Sequence, residues 1–144
     1  MARSAWTNQS VLGSPLAASP TGYIYQHETG NDADGTALTA SFDTGYFMLS
    51  DGEEKVFVDL IIPDFKFGQF GAQPNAQVNI TVNVSDYPNV PGSSYGPYTV
   101  STGTPIVPIR ARGRYFSLNI ASADVGTFWR LGGVKFRYAL DGRV

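Results

Sequence analysis

The cleanest alternation in the chain runs from Ala76 to Asp86. Val78, Ile80, Val82 and Val84 share one parity there, and Asn79, Thr81, Asn83 and Ser85 take the other. A period of two puts successive side chains on opposite faces, so this stretch predicts a strand with one dry and one wet face. The last third of the chain carries two more such runs. In the first, Arg114, Phe116, Leu118 and Ile120 alternate with Tyr115, Ser117 and Asn119; in the second, Val134, Phe136, Tyr138 and Leu140 alternate with Lys135 and Arg137. Between them, Gly126, Gly132 and Gly133 predict a connection over Ala121–Gly133, with Trp129 and Leu131 covering its core end. This pair of strands is expected to close the core.

Other segments follow the same logic. Lys55–Ile62 is almost continuously apolar, as a central strand requires, and Pro63 is expected to end it because a central strand cannot lose an amide donor. Asp64–Asn75 then reads as an aromatic-bearing loop. Gly22–His27, Leu38–Ser50 and Tyr98–Thr102 read as further strands, Tyr87–Pro97 as a loop, and Thr104–Pro108 as part of an edge. Asp51-Gly52 predicts a tight hairpin turn, and Gly113 a bulge. No helical periodicity and no internal repeat is present. The expectation is an all-β fold of about eight strands: a single antiparallel β-sandwich, jelly-roll-like or immunoglobulin-like, over 22–144.

Residues 1–21 are small and polar, with Pro15 and Pro20, and predict an extended N-terminal arm whose largest apolar anchor is Trp6. Two readings stand: a disordered tail, or an arm that orders against a neighbour.

Composition narrows the picture. The 144 residues suit one domain, and 16 Gly with 9 Pro suit a fold of many turns. Charged residues make up only 15%, and the net charge is −2. Acids gather early (Glu28 to Asp64) and bases late (Arg110, Arg112, Arg114, Arg130, Lys135, Arg137, Arg143). Such asymmetry helps chains meet in a fixed orientation, but is too weak to make nucleic acid the main partner. With no cysteine, thiol chemistry and disulfides are excluded. No export signal and no long apolar run is visible, so no membrane association is expected.

Catalytic candidates are few. His27 is the only histidine, which leaves no triad base beside an elbow serine and no usual zinc set; it reads as a hydrogen-bonded structural residue at a strand end. Asn31, Asp32 and Asp34 before Gly35 resemble the start of a calcium loop. No bidentate acid follows in 36–42, so a side-chain-capped turn is the stronger reading. Glu28, Asp43, Asp59 and Asp64 offer carboxylates, but spacing singles out no hydrolytic pair. Neither an enzyme nor a cofactor is expected. Loop aromatics Phe67, Phe70 and Tyr95 could stack on sugar rings, which keeps open a carbohydrate-binding module for host-surface glycans.

Three segments, taken in order, resemble a known family: GSPLAASPTGYIYQHETGNDADG (13–35), IIPDF (61–65) and RGRYFSLNIASADVGTFWRLGGVKFRYALDGR (112–143). Together they resemble the C-terminal part of structural tail proteins of tailed bacteriophages, especially the large tail or head-to-tail proteins of short-tailed phages. Such proteins are several times longer, with this segment at the end. The resemblance implies no catalytic residues. It implies a virion building block, made in the host cytoplasm and placed in the tail, that packs against other virion proteins in a homo-oligomeric ring. Trp6, Arg112, Arg114 and Arg130 are the interface candidates, the arginines through bidentate pairs with a neighbour's acids or, alternatively, as solvated or internally paired residues.

Overall fold

The computed structural model describes residues 2–9, 11, 13–68, 76–88 and 90–142. Within them the chain is all-β, with thirteen strands in antiparallel sheets and no helix. It divides into two compact units, Met1–Gly30 and Asn31–Val144.

The first unit is a small sheet. β1 (Ala5–Thr7) pairs with β2 (Leu16–Ala18), which pairs with β3 (Ile24–Gln26). The segment read as an arm thus supplies two strands, and the division falls after Gly30 because Ile24–Gln26 pairs back onto Leu16–Ala18. Three-residue strands give almost no alternation to read, which is why this sheet is faint in the sequence.

The second unit is a sandwich of two sheets, introduced by a hairpin of β4 (Asp32–Ala33) and β5 (Thr36–Ala37). Its turn, Asp34-Gly35, has φ of 56° and 75° at the two central positions, the geometry of the commonest two-residue hairpin turn. Asp51-Gly52, by contrast, joins no hairpin. It links β7 (Phe47–Met48) in one sheet to β8 (Val56–Phe67) in the other.

One sheet has the order β10 (Ser93–Ser101), β9 (Gln77–Ser85), β12 (Tyr115–Ser122), β6 (Ala40–Asp43), with β7 also on β12; the other runs β11 (Val107–Gly113), β8, β13 (Trp129–Leu140). The inner rows build the core: Val78, Ile80, Val82 and Val84 of β9 and Phe116, Leu118 and Ile120 of β12 face Val56, Val58 and Ile61 of β8 and Ile109 of β11. All are 4% exposed or less. Each such side chain contributes about 1.5–3 kcal/mol of transfer free energy, so this interior is the main term holding the sheets together. On the far face of β9, polar partners satisfy one another: Thr99 Oγ1 donates to Asn79 Oδ1 at 2.9 Å and Ser94 Oγ to Asn83 Oδ1 at 2.6 Å.

Several sequence expectations need correction. Pro63 does not end its strand; β8 continues through it to Phe67. The reason lies in the neighbours. β11 pairs with β8 only as far as Ile61, so beyond that point β8 has one partner, β13, and a missing amide on its open side costs no ladder bond. The expected aromatic loop therefore begins as strand, with Phe65 and Phe67 turned inward and Asp64 and Lys66 outward. The expected loop at Tyr87–Pro97 likewise gives its last residues to β10, around a register shift between Tyr95 and Tyr98 that contains a cis Gly96-Pro97 peptide. Gly132 and Gly133 form a bulge inside β13, between Leu131 and Val134, rather than a connection. Gly113 ends β11 at the corner where the chain crosses between the sheets. The last two runs do not pair with each other: β12 lies between β9 and β6, and β13 lies on β8.

Candidate functional site

Among the described residues no group of three or more His, Asp or Glu is placed to hold a metal ion. His27, just past β3, is embedded locally: its Nε2 accepts from Arg3 Nε at 3.1 Å, its amide donates to Pro15 O, and its ring meets that of Trp6 edge-on at 4.8 Å. Asp32 Oδ1 accepts the Gly35 amide at 2.9 Å, so this carboxylate caps its own hairpin turn. Asp59 is paired with Arg137 through contacts of 2.7–3.1 Å. The Arg137 hydrogen bonds hold its carboxyl below the usual aspartate value of 3.8.

Of the four interface candidates, Trp6 belongs to the first unit and the three arginines to the second. Trp6 is half exposed in the first unit, bonded through its indole N–H to Asn8. Arg112, on the outer face of the edge strand β11, is tied within the chain, to the Asp141 carboxylate and to Asp141 O at 2.9 Å. Arg114 follows the Gly113 corner, half-buried, with its Nε unpartnered among the described residues. Arg130 is exposed on β13, its guanidinium carbon 5.5 Å from the Phe128 ring centroid. Of the three aromatics read as sugar-binding, two lie among the described residues. Tyr95 packs against the core from β10, Phe67 packs against it from β8, and Phe70 lies outside the described residues.

Two features emerge that alternation alone does not reveal. The first is a set of inward-row side chains left bare on the edge strands. Phe42 sits opposite Ile120, Tyr138 opposite Val58 and Leu140 opposite Val56. Directly paired residues share a face, so these three belong to the same inward rows as fully buried partners. Yet they are 47%, 45% and 61% exposed. Between the two ends, β7, two residues long, sets Phe47 against Phe136 at 5.7 Å. Val134 and Phe136 are thus packed against the core as their alternation predicts, whereas Tyr138 and Leu140, of the same parity, run past its cover.

The second feature is cationic. On the outer face of the β11-β8-β13 sheet stand Lys66, Arg110, Arg130 and Lys135, without an ion pair among the described residues, beside the paired Arg112 and Arg137. Lys66 and Arg130 are direct cross-strand neighbours. A cleft of about 320 Å³ opens beside them, lined also by Phe65, Phe67, Phe128 and Thr102. The signal in the sequence was the sparse Lys66 among phenylalanines; its partner lies more than sixty positions away.

The fold and this geometry define an antiparallel β-sandwich with exposed apolar and cationic side chains. No family model matches the chain, and no curated protein matches it.

Proposed function

We propose that the chain is a non-enzymatic structural component of a bacteriophage virion, in the tail or head-to-tail region, that works by packing against its neighbours in an oligomeric ring. The observation that supports this most is the bare inward-row side chains of the edge strands. Three inward-row side chains, Phe42, Tyr138 and Leu140, lack the cover that their buried partners have. Neighbouring exposed apolar residues, as Tyr138 and Leu140 are on one face of β13, are what a subunit interface uses, whereas singly scattered ones need no explanation. The order of the three family-like segments supports the virion role.

The experiment is the solution mass by light scattering across a concentration series, for the natural chain and for a Tyr138→Ser/Leu140→Ser variant. The reading expects a closed oligomer that persists on dilution and a variant that falls to the monomer with its fold intact. A natural chain that is monomeric at every concentration, and that stays so when mixed with tail extract of the phage encoding it, defeats the proposal.

A further inference from the structure

We infer that the cleft beside Lys66 and Arg130 is a binding site for an acidic sugar, a pyranose carrying a carboxylate, and this does not rest on the assembly reading. The argument starts from an electrostatic misfit. Lys66 and Arg130 face each other across the β8–β13 ladder, where directly opposed side chains have Cβ atoms about 5 Å apart and like charges destabilise the pair. Neither forms an ion pair among the described residues. The nearest acid on the same face, Asp64, is one step along β8; its carboxylate lies over Gly132 in the β13 bulge, occupying the space a side chain there would need. An anion held between the two cations removes the misfit.

The surroundings say what kind of anion. Phe65, Phe67 and Phe128 contribute half-buried rings to the cleft, and the exposed Thr102 brings a hydroxyl from the turn after β10. These rings give the cleft an apolar wall against which the C–H face of a pyranose can lie, and a hydroxyl receives its oxygens. Arg130, whose guanidinium already lies over the Phe128 ring, offers the planar fork that fits a carboxylate with two parallel bonds. A phosphoryl group fits less well. The Gly68 amide, the backbone donor at this end of the ladder, is committed to Phe128 O at 2.9 Å, so no cradle of free amides is on offer there. At about 320 Å³ the cleft lies at the small end of ligand sites, the size for one or two sugar rings rather than a long chain.

The test is titration of the full chain, followed by amide chemical shifts, with galacturonate and its dimer, with galactose, and with inorganic phosphate. The uronate should bind at roughly millimolar strength, as a ligand of this size does in an open site, and shift Gly68, Thr102 and Arg130 first. Galactose should bind at least about tenfold more weakly, and Lys66→Gln and Arg130→Gln should each weaken the uronate by about tenfold, the loss of one charge-assisted bond. Neither variant should lower the melting temperature, since each relieves a like-charge pair. Equal binding of galactose, saturation by phosphate at lower concentration than by the uronate, uronate affinity unchanged in both variants, or no saturable shift at tens of millimolar would each overturn the assignment.

Discussion

Gly113 is a position at which the sandwich tolerates little. The chain turns there from β11 in one sheet to β12 in the other, and the turn presses its backbone against β9. A methyl group at Gly113 would overlap Val84 Cγ1 and lie 3.2 Å from Ser85 O. Carbon atoms normally touch at about 3.5–4.0 Å, so the valine must give way. It has little room to do so. Val84 is 3% exposed, its backbone is paired with Ser93 on one side and Phe116 on the other, and a β-branched side chain has few rotamers. Overpacking of this kind costs about 1–3 kcal/mol. At about 4 °C for each kcal/mol in a chain of this size, Gly113→Ala should lower the melting temperature by about 4–12 °C. The chain has two tryptophans, one in each unit, so urea unfolding followed by fluorescence in a Trp6→Phe background reports the sandwich alone through Trp129. The mechanism, and not merely the loss, is tested by a double-mutant cycle. Val84→Ala alone removes two buried methyl groups and leaves a cavity, for about 2–3 kcal/mol. The methyl group added by Gly113→Ala would partly refill that space, so the double variant should be at least about 1 kcal/mol more stable than the sum of the singles. A Gly113→Ala protein within about 0.3 kcal/mol of the parent, or a strictly additive cycle, would refute the packing argument.

Four further outcomes follow from the same structure. Lys66→Glu turns the like-charge pair with Arg130 into an opposite-charge one and should stabilise the sandwich by about 0.2–1 kcal/mol in chemical denaturation, less at high salt. Trp129 Nε1 donates to the buried Ser122 Oγ at 3.0 Å, so Ser122→Ala strands a half-buried donor and should cost about 1–3 kcal/mol, read by the same urea curve. The Asp59–Arg137 pair sets a pH dependence: because the folded carboxyl lies below the usual 3.8, its contribution is present above 3.8 and is lost as pH falls through the lower folded value. The Asp59 carboxyl carbon should therefore titrate below 3.8 in the natural chain and closer to it in Arg137→Gln, and any difference in melting temperature between the two should vanish in strong acid; coincident titration curves would show that the pair does not operate in solution. Arg112→Ala, by contrast, removes an exposed pair with Asp141 and should change stability by no more than about 1 kcal/mol, and a larger loss would mean that it anchors the end of β13.

The sequence alone determined that the chain is all-β and which side chains of the long strands turn inward, because a strand's two-residue period is local. Val78 to Val84, Phe116 to Ile120, and Val134 with Phe136 all face the core as their alternation requires. The bond at Asp32 was legible for the same reason, since the Gly35 amide that satisfies it lies within one turn of it. What alternation cannot state is which strand lies beside which, since pairing joins residues far apart along the chain. Only the tertiary structure decided that β8 could carry Pro63, because it took knowing that β11 stops at Ile61. Only it set Arg112 against Asp141 and Lys66 against Arg130, one pair satisfied and the other left for an anion. And Phe136, Tyr138 and Leu140 follow one parity in the same strand, yet the first is packed and the other two are bare, because burial depends on how far the opposite sheet extends.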